Sequence, residues 1–227
     1  MFKHQHPYPP FIPEFATKLI VGTLPPPRFT TGDLKTGDVD FCYGSKDGQL
    51  WKILEVIFGL DLKYENTQEA IKQRQRFLVE NNIGICDIVE CAYREKIDAS
   101  DLGMQDVVLR DIIKRLKKHP KIKMILFMGG NSKNGPEYHF RKLLKQYKIN
   151  LEILSKTPPR IHQFSLEKNR IIKTVSLTAP SGSANRAVGG MAAYKRIKQL
   201  NPSFNTLDYR VMQYKRFFVT DYFSSLK

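Results

Sequence analysis

Three short apolar runs constrain this chain more than any other feature. They are "KLIVGTL" (18–24), "KIKMILFMGG" (121–130) and the start of "RIIKTVSLTAPSGSANRA" (170–187). Each reads as a buried strand. Each breaks at once into a loop of small or rigid residues: "GTLPPPR", "GGNSKNG" and "APSGSANR". A further run, "LEILSKTPPR" (151–160), reads as a strand that stops at Pro-Pro. Helical patterns lie between. "GQLWKILEVIFGL" (48–60) sets Leu50, Trp51, Ile53, Leu54, Ile57 and Phe58 on one face. Residues 66–82 read as a second helix that Asn66 could cap. "QDVVLRDIIKRLKKHP" (105–120) reads as an amphipathic helix with Val108, Ile112, Ile113 and Leu116 inward. Residues 135–149, 189–200 and the tail 203–227 complete the helices. Residues 28–46 read as a loop, and "IGICDIVECAYR" equally as a strand or a helix.

Strands that are apolar throughout belong to parallel sheets covered on both faces. The fold class predicted is therefore α/β, a three-layer α/β/α sandwich around a central, mostly parallel four-stranded sheet. Residues 1–227 read as a single domain. The Pro-rich segment 1–17 is an extended N-terminal arm lying on it, and 203–227 is a C-terminal helix.

Charge says what such a domain would meet. The 227 residues carry 37 Lys and Arg against 22 Asp and Glu, a net +15. Residues 1–102 hold 12 basic and 15 acidic side chains (12 − 15 = −3), and residues 103–227 hold 25 and 7 (25 − 7 = +18). One-sided basicity suits a polyanion, and nucleic acid first among them; a solvated basic surface is the plainer alternative. The three cysteines are widely spaced and odd in number, which argues against a disulfide framework or an iron–sulfur cluster. The five scattered histidines make no metal site, so no metal or cofactor is expected. No apolar run approaches the roughly 20 residues that span a bilayer. The N-terminus lacks a signal peptide's apolar stretch. The expectation is a cytoplasmic, nucleoid-associated monomer.

In open α/β sheets, ligands bind outside the carboxyl ends of the strands. The three loops stand at such ends. Gly allows close approach, Pro fixes the backbone, and Ser and Asn supply small polar groups. Taken singly, the first is an ordinary turn, the second a solvent loop, and the third a helix cap through Ser183 or Asn185. Nearby carboxylates are Asp33, Asp38, Asp40, Asp47 and Asp87. Asp87 sits among apolar neighbours in "GICDIV", so it is either partnered in the core or exposed in a pocket. Asp47 precedes the 48–60 helix and is a candidate N-cap or a pocket residue. Phe41 and Tyr43 could stack on a base or cover the core.

In this order, "LIVGTLP", "FCYGSKDGQLWKIL", "IGICDIVECAYREKIDASD", "MILFMGG" and "APSGSAN" resemble the uracil-DNA glycosylase superfamily, closest to its hypoxanthine-DNA glycosylase-like branch. The resemblance runs from about residue 18 to 200. It implies a monofunctional glycosylase of base excision repair. Such an enzyme flips a damaged base out of DNA, because chemistry on a base requires leaving the stack, and hydrolyses its N-glycosidic bond without metal. Gly22, Thr23, Leu24 and Pro25 would then form one pocket wall. Tyr43, with Phe41 and Gly44, would flank the base, and Phe127, Met128 and Gly129 would meet its far edge. Pro180, Ser181, Gly182, Ser183, Ala184, Asn185 and Arg186 would press into the DNA groove and grip phosphates. Where the branch carries an Asn in its Tyr-Gly segment, Gly48 stands here with Asp47 beside it, and Met128 replaces another Asn. Asp47 first, and Asp87 second, are the catalytic candidates. The alternatives are a catalytically silent DNA-binding relative, or an unrelated α/β enzyme of nucleotides or phosphates.

Overall fold

The computed structural model describes residues 1–167 and 170–219. The first apolar run forms strand β2 (Lys18–Val21), with Leu19, Ile20 and Val21 inaccessible to solvent. It pairs in parallel with β3 (Ile83–Ile85) on one side and β6 (Met124–Phe127) on the other. Strand β6 pairs in parallel with β9 (Arg170–Ser176). Three of these, β2, β6 and β9, are the apolar runs read as strands; the fourth parallel strand, β3, comes from the segment that reads equally as strand or helix, and the expected 151–160 strand is instead the antiparallel β7 (Glu152–Ser155).

The sheet does not stop at four strands. Strand β8 (Arg160–Leu166) runs antiparallel to β9, and β7 (Glu152–Ser155) antiparallel to β8, giving six in the order β3-β2-β6-β9-β8-β7. The four-stranded, mostly parallel sheet is thus corrected to a mixed sheet of six. The physical reason lies in β8. Phe164 and Leu166 are buried while Ser165 between them is exposed, the alternation of an antiparallel strand and not an unbroken apolar run.

Side-chain alternation along the strands feeds two cores on opposite faces. Ile20, Leu126 and Val175 pack with Trp51, Leu54, Phe77, Tyr214 and Phe217. These come from helices α2 (Leu50–Phe58), α3 (Gln68–Glu80) and α8 (Thr206–Phe218). Leu19, Val21, Ile125 and Phe127 pack with Ile113, Leu116, Phe140 and Leu144, from α4 (Ile112–Lys118) and α5 (Pro136–Gln146).

Other expectations shift. The helix expected over 105–120 is half strand: β5 (Gln105–Leu109) joins β4 (Val89–Arg94) and β1 (Phe2–Gln5) in a second, three-stranded sheet. Asp111 starts the helix late by accepting the Lys114 amide at 2.9 Å, and Val108 is 49% exposed. The β-branched Val107-Val108 pair suits an extended backbone. The ambiguous 83–94 segment is two strands, β3 and β4. Helix α1 (Arg28–Thr31) is a single turn inside the expected loop. Thr67, not Asn66, caps α3. The 189–200 helix is split into α6 (Asn185–Gly190) and α7 (Ala192–Leu200). Asn205 and Asp208 form a capping box that starts α8; residues 220–227 of the expected tail helix lie outside the described residues. The N-terminal arm is extended and paired, through β1 and a bridge between Phe11 and Ile85. No helix among the described residues is long and apolar enough to cross a membrane.

Candidate active site

Because β2, β6 and β9 run parallel, their carboxyl ends share one edge of the sheet. There they line a cleft of about 680 Å³. Its walls are Gly22 to Pro26 after β2, Tyr43 to Ser45 with Asp47 and Gly48 before α2, Asp87 between β3 and β4, Ala99 to Asp101, Met128 after β6, and Ala179 to Ala184 after β9. Arg28 completes the lining.

The floor is built around Asp87. Its Oδ1 accepts the Gly22 amide at 2.7 Å and the Tyr43 hydroxyl at 2.8 Å. Its Oδ2 lies 3.0 Å from Nε2 of His6. Nδ1 of His6 accepts the Tyr8 amide at 3.1 Å, so the ring proton sits on Nε2 and donates to Asp87. The N-terminal arm thus supplies one of three donors to a carboxylate that is only 6% exposed. The contact needs glycine at position 22: a Cβ there would lie 2.2 Å from the Tyr43 hydroxyl oxygen and 2.9 Å from Asp87 Oδ1. Tyr43 reaches Asp87 from a left-handed backbone, φ 57°, followed by Gly44, whose own Cβ would meet the Val39 carbonyl oxygen at 1.8 Å. Burial and then the Asp87 charge raise the Tyr43 pKa well above the usual phenol value, so its proton stays to be donated.

Asp101 is the second carboxylate of the floor. It accepts the Thr23 hydroxyl at 2.7 Å, so Gly22 and Thr23, consecutive in one loop, each hold one carboxylate. Burial raises the Asp101 pKa against the Thr23 hydrogen bond and the Arg94 charge, and the Asp87 charge adds to the rise. Asp47 stands at the rim, its side chain 67% exposed and 3.4 Å from Arg28. It caps nothing: Gln49 precedes α2, without a side-chain cap. Arg28 is committed to Asp38, which it grips through two bonds of 2.6 and 2.9 Å.

The Ser-rich loop is tied down from two sides. The Gln49 amide donates to Pro180 at 2.9 Å, and Gly48 bridges Ser181. From α8, the buried Arg210 donates to the carbonyls of Ala179 and Ser181 at 2.9 and 3.0 Å and to Asn185 Oδ1 at 2.9 Å. Gln213 accepts the Thr178 amide, and the Tyr214 hydroxyl donates to the Thr178 carbonyl.

Of the residues singled out in the sequence, the cleft brings together Gly22, Thr23, Leu24, Pro25, Tyr43, Gly44, Asp47, Asp87, Met128 and Pro180 to Ala184. Phe41 packs under them, 7% exposed, against Trp51 and Phe11. Phe127 is inaccessible on the opposite face against Phe140. Gly129 does not line the cleft. Asn185 holds Arg210 and Thr206, and Arg186 is exposed beside it. Sequence reasoning missed Asp101, His6, Arg28 and Arg210, and named Asp38 as a nearby carboxylate without its Arg28 partner. Asp101 ends the quoted "REKIDASD", which was its only signal. Among the described residues no group of three or more His, Cys, Asp or Glu is placed to hold a metal ion.

The hypoxanthine DNA glycosylase of Methanosarcina barkeri (strain Fusaro / DSM 804) is 30% identical to this chain over 128 residues, covering 55% of this chain and 71% of that protein. A solution NMR structure of a Methanosarcina acetivorans protein proposed to be a uracil DNA glycosylase superposes with a TM-score of 0.53 over 92% of this chain and 98% of that one. At 16% identity this likeness speaks for the fold alone. No protein-family model matches the chain.

Proposed function

The chain belongs to the uracil-DNA glycosylase superfamily, in its hypoxanthine-DNA glycosylase-like branch, and from that premise we propose that it is a monofunctional DNA glycosylase, a single domain acting as a monomer. It takes a damaged base, hypoxanthine- or uracil-like, out of DNA and hydrolyses the bond to its sugar. The observation that carries this reading is the meeting of the motif loops in one cleft, over a carboxylate fixed by three donors.

The chemistry follows from charge. As the N-glycosidic bond breaks, positive charge grows on the sugar. Asp87, immobilised beneath the cleft, stabilises that charge without having to reorganise. Asp47 at the rim orients the attacking water and takes its proton, a role its position in the cleft lining supports. The Tyr43 ring flanks the base. Ser181, Ser183 and the exposed Arg186 meet the phosphates, with Lys195 and Arg196 of α7 extending the basic surface. No step calls for a metal or a nucleotide cofactor.

A second reading, a DNA-binding relative without chemistry, is favoured by one feature: no Asn or Gln lines the cleft among the described residues. One assay separates the two. Oligonucleotides carrying a single uracil or hypoxanthine, single- and double-stranded, are incubated with the protein and then treated with alkali. Cleavage at the lesion supports the glycosylase. Salt-sensitive binding without cleavage supports the silent relative.

A further inference from the structure

Each carboxylate of the cleft floor is backed by a histidine of the N-terminal arm. His4 and His6 stand two residues apart, and both are buried. Nδ1 of His4 accepts Nε of the buried Arg94 at 2.8 Å, and Arg94 donates in turn to the carbonyl of Ser100, the neighbour of Asp101, at 2.5 Å. His6 reaches the other carboxylate directly, with Nε2 3.0 Å from Oδ2 of Asp87. These rings do not hang from a loose end. Strand β1 pairs with β4 along its whole length, from Phe2 to Gln5. The His6 amide donates to the Glu90 carbonyl at 2.8 Å, and Oγ1 of Thr30 donates to the Gln5 carbonyl at 2.7 Å. Just beyond, Arg110 donates to the Tyr8 carbonyl at 2.8 Å and the Tyr8 hydroxyl to Asp40 at 2.7 Å.

Counting lone pairs shows what His6 adds. A carboxylate oxygen offers about two acceptor sites. Oδ1 of Asp87 fills both, with the Gly22 amide and the Tyr43 hydroxyl. Attachment at that oxygen alone would leave the group free to turn about it. The bond from His6 fixes the second oxygen, and with it the plane of the carboxylate. Among the described residues Oδ2 has no other side-chain donor, so the oxygen with an acceptor site still open is the one that His6 holds. Nδ1 of His6 accepts the Tyr8 amide, so the ring donates through Nε2 as a neutral group and leaves the carboxylate charge in place.

We propose that His6 is a positioning residue for base release, and that the N-terminal arm is thereby part of the active centre. This rests on the glycosylase reading above, in which Asp87 stabilises the charge that grows on the sugar. A carboxylate held in place does so without reorganising, and a small displacement of a group so placed is costly to the rate.

The test measures single-turnover release of hypoxanthine and uracil from oligonucleotides by the full chain and its variants, with DNA affinity and a thermal melt on each sample. His6→Ala removes the donor, and His6→Leu removes it while filling the space. His6→Gln keeps an amide N–H near the place of Nε2. Thr30→Val loosens the arm without touching Asp87. The expected result is release at least roughly tenfold slower in the Ala and Leu variants, with DNA affinity unchanged. The Gln variant recovers most of the rate, and Thr30→Val keeps that of the parent. Release by the Leu variant at the parental rate, or by the Gln variant no faster than by the Leu variant, overturns the proposal and leaves the glycosylase standing. An equal loss in Thr30→Val and His6→Leu also overturns it, by assigning the effect to attachment of the arm. Release of neither base by the parent chain removes the glycosylase reading, and the proposal with it.

Discussion

The hydroxyl of Tyr43 donates to Oδ1 of Asp87 at 2.8 Å, the same oxygen that accepts the Gly22 amide. The bond joins the loop before α2 to the segment between β3 and β4, and it sets where the negative charge of the floor lies. A residue in the left-handed region is held there by its surroundings, and here Trp51 steadies the loop by donating to the Cys42 carbonyl at 2.9 Å.

Tyr43→Phe keeps the ring and removes that donor. The lost hydrogen bond should cost about 1 kcal/mol of stability. Excision should fall roughly tenfold, equivalent to about 1.4 kcal/mol of barrier, with DNA affinity nearly unchanged. Single-turnover excision beside a thermal melt measures both. An unaltered rate would mean that the hydroxyl only helps the loop to fold.

Arg210 is inaccessible to solvent and bonds two carbonyls and one side chain of the Ser-rich loop. Arg210→Met should destabilise the protein by about 3 kcal/mol, because it leaves buried acceptors unpaired. Oligonucleotide affinity should fall in the same variant as the loop loses its shape. Arg210→Lys should not restore it, since an ammonium cannot reproduce the planar fork. Titration of labelled DNA at two salt concentrations checks this; full affinity in the Met variant would free the loop from its dependence on α8.

Asp38 makes the protein sensitive to acid. Burial alone would raise its pKa, but the Arg28 fork and the amides of Lys46 and Lys35 outweigh that and bring it from 3.8 down to about 2. A depressed carboxylate contributes stability above its unfolded value and loses it as the pH falls toward the folded one. Between about pH 4 and pH 2, stability should therefore drop by something on the order of 2 kcal/mol. Asp38→Asn should flatten that part of the curve in denaturant titrations taken from pH 6 downward. An equally steep loss in the variant would assign the acid sensitivity to other groups.

How far the sequence could be read follows the physics of each element. Continuous apolar runs such as "LIV" and "MILF" have one stable use, a strand covered on both faces, and their loops must gather at one sheet edge. That is why most cleft residues were visible in advance. Strand β8 was not, because Ser165 breaks its apolar pattern and its partner is an antiparallel neighbour. Residues 105–109 resemble the first turns of a helix until Asp111 is known to cap. Phe41 and Tyr43 look alike in sequence, yet only Tyr43 has a hydroxyl to reach Asp87, while Phe41 turns into the core beside Trp51. Asp101, His6 and Arg210 act through partners 78, 81 and 31 residues away, a separation that no local pattern carries.

The central claim is that the carboxylates of the cleft serve chemistry rather than DNA binding. The most direct measurement is single-turnover base release by Asp47→Asn and Asp87→Asn beside the unaltered protein, with DNA affinity taken on the same samples. The account predicts that both variants bind DNA as the parent does and release the base at least roughly tenfold more slowly, a barrier increase of about 1.4 kcal/mol. Release at the parental rate in both variants would contradict it.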